Sequence, residues 1–101
     1  MNQCEIALSE GKVTVVVGGE VDLSWSSDIR DLILKALTME DRIEVDLSAV
    51  SYIDSSGIAG LVEGLQKAKK NNKSFALYQP SPSVMSVLKL ARLDQVFSIV
   101  S

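Results

Sequence analysis

Val50-Ser51-Tyr52-Ile53-Asp54-Ser55-Ser56-Gly57-Ile58-Ala59-Gly60-Leu61 is the stretch whose reading decides the fold. A short apolar run ends in an aspartate, two serines and a glycine. A helix-period pattern starts at once afterwards, with Ile58, Leu61, Val62, Leu65 and Ala68 on one face. The pattern predicts a strand, a tight turn and a helix in immediate succession, and it places Ser55 where the turn hands over to the helix N-terminus. Backbone N–H groups there lack intrahelical partners, and the helix dipole favours negative charge. A phosphoryl group on Ser55 would be stabilised by the backbone beneath it. That chemistry suits a switch more than an active site.

Upstream, Ile43, Val45 and Leu47 alternate with Glu44, Asp46 and Ser48, predicting a third strand whose second face is more polar. Before it, Ile29, Leu32, Ile33, Ala36 and Leu37 mark a first helix that Ser24, Ser26 or Ser27 could cap. Residues Cys4 to Leu8 and Val13 to Val17 read as two strands around a Glu10-Gly11 turn. The second is almost continuously β-branched, as in a strand buried on both faces, and Gly18-Gly19 ends it.

Downstream, Lys67, Lys69 and Lys70 fall near the end of the second helix, where cations suit the dipole. Asn71-Asn72 is a turn and Ser74 to Tyr78 a fourth strand. Ser81-Pro82 opens a third helix whose buried stripe is Val84, Val87, Leu88 and Ala91, and Val96 to Val100 is a last strand. The order β-β-α-β-α-β-α-β predicts an α/β fold: a mixed, mostly parallel sheet of four to five strands with three helices. The first strand is expected antiparallel at an edge, and strands two, three and four the most buried. No linker, internal repeat or low-complexity segment is evident, so residues 1–101 read as a single domain.

Composition narrows the function. A chain of 101 residues, 47% hydrophobic with two prolines, has material for one core. No apolar run approaches the roughly 20 residues that span a bilayer. Met1 to Ser9 lacks the basic segment and unbroken apolar core of a leader. Cys4, the single cysteine, can form no internal disulfide, so the cytoplasm is the expected compartment. With no histidine, a Ser-His-Asp triad, a Cys-His pair and a histidine phosphorelay are all excluded within the chain, and no zinc-ligand set exists. We expect a non-enzyme without metal or cofactor. Net charge is −3, and the one dense basic cluster, Lys67, Lys69, Lys70 and Lys73, has no interleaved aromatics. It reads as a solvated helix end, not a nucleic-acid surface.

With these elements in place the sequence resembles the STAS family, the domain of bacterial anti-sigma factor antagonists and of sulfate-transporter tails. Two motifs carry the resemblance: Asp54-Ser55-Ser56-Gly57 between strand three and a helix, and Gly19-Glu20-Val21-Asp22 after strand two. Element order agrees over roughly residues 4 to 100. The resemblance implies that Ser55, the serine directly after the aspartate, is phosphorylated by an anti-sigma factor serine kinase and reset by a phosphatase. Many STAS domains lack a phosphorylatable residue there, so a retained serine favours the switch. The bland alternative is an N-cap serine.

The partner surface implied by the resemblance gathers Asp22, Trp25, Asp54, Ser55, Ser56, Gly57 and Ile58 at one sheet end, because loops leaving parallel strands cluster at their carboxyl edge. Asp54 could orient the Ser55 hydroxyl, help arrange the partner's magnesium-nucleotide site or simply shape the turn, and Ser56 shapes it too. Gly57 allows close backbone approach; Asp22 could lie at the site or cap the first helix. Trp25 could pack at the helix start or anchor an interface. A second reading rests on length. Antagonists commonly carry another helix after the last strand. The shorter form is similar to the STAS subunit of a phospholipid-transporting ABC permease, which would dock on the transporter ATPase without entering the membrane. That subunit tends to have threonine-glycine where this chain has Ser55-Ser56. A small-ligand or nucleotide-binding STAS domain ranks last, since no glycine-rich phosphate loop is present.

Overall fold

A computed structural model describes residues 2–101; Met1, the first residue of the segment read above for a leader, lies outside the described residues. The elements are β1 (Gln3–Ser9), β2 (Lys12–Val21), α1 (Ser26–Ala36), β3 (Arg42–Ile53), α2 (Ser55–Lys70), β4 (Ser74–Tyr78), α3 (Pro82–Leu90) and β5 (Ser98–Val100). The strands form one sheet in chain order, β1 antiparallel to β2 and every later pair parallel. This is the expected mixed, mostly parallel α/β sheet with three helices. Because each parallel crossing passes through one helix, every helix starts at the carboxyl edge of the sheet and ends at its amino edge. That polarity places the site.

The β1–β2 turn is possible because Gly11 takes a positive φ of 67°. In β2, Val13, Val15 and Val17 are buried while Thr14 and Val16 are half-covered, so one face carries the core and the other is partly shielded. Gly18-Gly19 does not end the strand. β2 continues to Val21 with register shifts after Val16 and Gly19, and Gly19 sits at φ 97°. The glycines make a bulge, not a stop, because glycine tolerates the backbone a bulge demands.

Ile29, Ile33, Ala36 and Leu37 of the first helical segment are buried, as their spacing predicts. α1 and α2 press together on the core face of the sheet. A Cβ added at Gly64 would stand 2.8 Å from Ile33 Cγ2 and 3.0 Å from the Phe75 ring. Arg30 and Glu63 bridge the two helices on their outer side at 2.7 Å. α3 begins as expected at Ser81-Pro82. The Ser81 hydroxyl accepts from the Val84 N–H at 3.3 Å and donates to the Val50 carbonyl at 2.5 Å, which ties α3 to β3.

The tail differs from expectation. Val84 and Leu88 are buried, but Ala91 caps the helix end in solvent. Val96 is exposed, and β5 begins only at Ser98, after Phe97 has turned inward toward Phe75 at a ring separation of 6.5 Å. Lys73 also departs from the solvated-cluster reading. Its ammonium donates to the carbonyls of Leu37 and Glu40 and pairs with Asp41 at 3.6 Å, pinning the α1–β3 loop. No helix among the described residues is long and apolar enough to cross a membrane.

Candidate functional site

β2 and β3 end together, Val21 opposite Ile53, so the chains that follow leave the same edge side by side. The Asp54 N–H donates to the Val21 carbonyl at 3.1 Å and stitches the two exits. Asp54 is the N-cap of α2. Its Oδ1 accepts from the Ser56 N–H at 2.9 Å, the Gly57 N–H at 3.2 Å and the Ser56 hydroxyl at 2.5 Å. Two otherwise orphaned helix donors are thereby satisfied.

The carboxylate therefore holds Ser56, not Ser55, which corrects the expectation that Asp54 orients the Ser55 hydroxyl. The geometry explains it: a cap residue reaches N–H groups two and three positions ahead, and the side chain at two positions ahead lies alongside. Ser55, the first residue of α2, is exposed, and its hydroxyl has no hydrogen-bond partner among the described residues. Hydrogen bonding from the Ser56 hydroxyl, aided by the backbone N–H groups of Gly57, Ser56 and Leu23, holds the Asp54 carboxyl below its ordinary pKa, against an opposing effect of burial.

A pH prediction follows from the sign of that shift. A depressed folded-state pKa contributes stability that is present above the unfolded value near 3.8 and lost as pH falls through the lower folded value. Wild type should lose more stability than Asp54→Asn over that acidic window in denaturant titrations. Equal losses would show that the cap carries no charge-dependent stability.

Asp22 repeats the device on the neighbouring exit. Its Oδ1 accepts from the Ser24 N–H at 3.1 Å and the Ser24 hydroxyl at 2.6 Å, while its carbonyl takes the Trp25 and Ser26 N–H groups at 3.0 and 2.8 Å. The expected serine cap of α1 is absent: Trp25 holds the N-cap position without a side-chain cap bond, and the Ser24 hydroxyl donates to Asp22 in the turn before it. Trp25 itself is half-buried and packs against the core at the helix start.

Two residues of the expected surface face inward. Gly57 is buried, and a Cβ there would stand 2.7 Å from both Ile53 Cγ1 and Val21 Cγ1. Ile58 is 7% exposed and belongs to the core, correcting its placement among surface contacts: in the first turn of α2 its position faces the sheet. Ser55 is exposed, and Asp22, Trp25, Asp54 and Ser56 are half-buried at the surface.

Sequence reasoning missed Leu23, 77% exposed between Asp22 and Ser24, and Tyr52, 49% exposed two residues before Asp54. One signal was available. Glu20–Ser24 and Glu44–Ser48 are the same pentapeptide, Glu-Val-Asp-Leu-Ser, a short repeat contrary to expectation. In each copy the aspartate accepts from the N–H and hydroxyl of the serine two positions on. Yet Leu47 is 1% exposed in mid-strand, whereas Leu23 projects from a strand end. The edge thus presents an exposed leucine, a half-exposed tyrosine and a free serine hydroxyl. No pocket opens among the described residues, and no group of three or more His, Cys, Asp or Glu side chains is placed to hold a metal ion.

Residues 4–101 match the family described as Mlab, STAS domain. A STAS-domain containing protein of Pseudomonas aeruginosa is 28% identical over 88 residues, spanning 87% of each chain. The intermembrane phospholipid transport system binding protein MlaB of Haemophilus influenzae is 29% identical over 96 residues, spanning 89% of this chain and 90% of its own. Among solved structures, an anti-sigma factor antagonist from Mycobacterium paratuberculosis superposes with a TM-score of 0.89 at 23% identity, covering 99% of this chain and 86% of its own. The last likeness shows the shared STAS fold, and the match over residues 4–101 shows that this chain belongs to the STAS-domain family of the MlaB type.

Proposed function

We propose that this chain is the STAS subunit of an ABC phospholipid transporter, docking on the transporter ATPase from the cytoplasmic side through the edge that carries Asp22, Leu23, Tyr52 and Ser55. The single observation that carries this reading is the family match over residues 4–101, and the MlaB relative of near-equal length supports it. It reverses the order of the two readings drawn from the sequence, where the sigma-factor switch came first. The chain acts by binding; ATP and metal chemistry belong to its partner.

The phosphorylation switch is the second reading, and one observation favours it: the exposed Ser55 hydroxyl has no hydrogen-bond partner among the described residues and stands at a helix N-terminus, where a phosphoryl group would add about −1.5 to −2 charges to the proposed contact surface. Asp22, Trp25, Asp54 and Ser56 would frame the same contact in either pathway, with Gly57 and Ile58 supporting it from the core.

The test is isolation of the tagged protein from its native host, with mass spectrometry of what accompanies it. An ABC ATPase and permease are the expected companions. Ser55→Asp should lose them, since the carboxylate is tolerated at the helix start, contributing about 0.3–1 kcal/mol there, but adds charge at the contact. A serine kinase as companion, with one phosphate that Ser55→Ala abolishes, would establish the second reading in its place. ATPase capture undiminished in both Ser55→Asp and Leu23→Asp would put the contact elsewhere.

A further inference from the structure

The sheet has two ends of opposite character. All helices finish at the amino edge, and Lys35, Lys67, Lys69, Lys70 and Lys89 lie in their last turns. Lys12 and Arg42 open β2 and β3 at the same edge, and Lys73 and Arg92 occupy the turns that follow α2 and α3. Of the ten Lys and Arg residues only Arg30 lies elsewhere, in mid-α1. Glu20, Asp22, Asp28 and Asp54 gather instead at the carboxyl edge, where Ser55 lies. A chain of net charge −3 is therefore strongly divided, its basic pole facing away from the proposed partner contact.

Intramolecular pairing does not neutralise that pole. Lys12 pairs with Glu44 and Lys73 with Asp41, which leaves the other basic side chains of this edge without an ion-pair partner among the described residues. The acids remaining there are Glu10, Glu40 and Asp94. Complementing the helix dipoles accounts for a cation at each helix end. It does not account for Lys67, Lys69 and Lys70 together, all exposed, nor for the aliphatic side chains standing among them. Leu90 is 85% exposed, Leu8 65%, Val96 48% and Met39 39%, and all four lie at this edge.

We infer that the amino edge is a docking surface for an anionic lipid bilayer. The cations are spread across three helix ends and two strand starts, with isolated aliphatic side chains between them and no pocket. Such a surface lacks the contiguous apolar centre of a protein interface and the aromatic platforms of a nucleic-acid binder. It matches a fluid anionic surface, where lysines need no defined partner geometry and a protruding leucine enters the headgroup layer. The protein lies against such a surface and does not span it. This inference goes beyond the transporter reading and does not depend on it.

Co-sedimentation of the full chain with vesicles tests it. The protein should adsorb to vesicles of equal parts phosphatidylglycerol and phosphatidylcholine at low salt, not to phosphatidylcholine alone, and should be released as salt rises. The triple variant Lys67→Gln, Lys69→Gln, Lys70→Gln should partition about 100-fold more weakly, since each lysine near an anionic surface is worth about fivefold. Leu90→Ser should weaken adsorption severalfold with the salt dependence unchanged. Both variants should keep the wild-type circular dichroism, because the altered side chains are exposed. No adsorption to the anionic vesicles, full adsorption by either variant, or tighter binding to duplex DNA than to the vesicles would overturn the inference.

Discussion

Ile58→Glu should unfold the protein outright or lower its melting temperature by about 20 °C, given about 4–8 °C per kcal/mol for a chain of this size. Ile58 is 7% exposed and packs in the same core as Val21, Ile53 and Leu61. Replacing it forfeits about 1.5–3 kcal/mol of apolar burial. It also leaves a carboxylate with no place in the core, and the combined loss exceeds about 4 kcal/mol against a total stability of about 5–15 kcal/mol. Ile58→Val, which removes one methylene, should cost only about 0.5–1.5 kcal/mol. Thermal melts followed by circular dichroism decide the matter. If Ile58→Glu melts within a few degrees of wild type, α2 is not seated on the sheet as described.

The result bears on function because Ile58 borders the partner edge. Loss of a partner in Ile58→Glu would report loss of the fold, so it cannot probe the interface. Ser55 and Leu23 can, since both are exposed and neither side chain holds the core.

Much of this architecture was legible in the residues. The alternation of Ile43, Val45 and Leu47 and the helical spacing of Ile58, Leu61, Leu65 and Ala68 report one-sided burial, which is what periodicity measures. Ser81-Pro82 was readable because its signal is local: a hydroxyl for the Val84 N–H and a ring suited to the first helical position. Gly18-Gly19 misled because glycine marks a bulge and a strand end alike, and only the partner strand decides.

The site was readable in outline and misread in detail. The turn at Asp54 was legible in its residue types, but the cap reading fell on Ser55. Asp54 holds the cap and Ser55 is the first helical residue, and which serine the carboxylate holds depends on side-chain direction in the turn. Leu23 and Leu47 stand in identical pentapeptides with opposite burial, so no local pattern could separate them. The difference is tertiary. One copy lies within the sheet, between β2 and β4, and the other where β2 has run out. Lys73 was hidden for the same reason: the carbonyls it holds are more than thirty positions away in the chain.

Gly57 is where the fold and the proposed contact meet, and Gly57→Val should cost more than about 3 kcal/mol, beyond the usual range of core overpacking. A Cβ at this position would stand 2.7 Å from Ile53 Cγ1 and from Val21 Cγ1. Both neighbours are β-branched strand residues with little rotamer freedom, so neither can swing aside. Even Gly57→Ala should destabilise, although alanine is favoured over glycine in helices by about 1 kcal/mol. Relief requires α2 to lift from the sheet, which strains the bond from the Asp54 N–H to the Val21 carbonyl that sets the Ser55 turn against its neighbour. Partner capture should therefore fall together with stability. The steric origin has a direct check: in a Val21→Ala background, where one of the two obstructing atoms is gone, Gly57→Ala should cost less than in wild type. Strictly additive costs would mean that glycine is needed here for its backbone and not for its lack of a side chain.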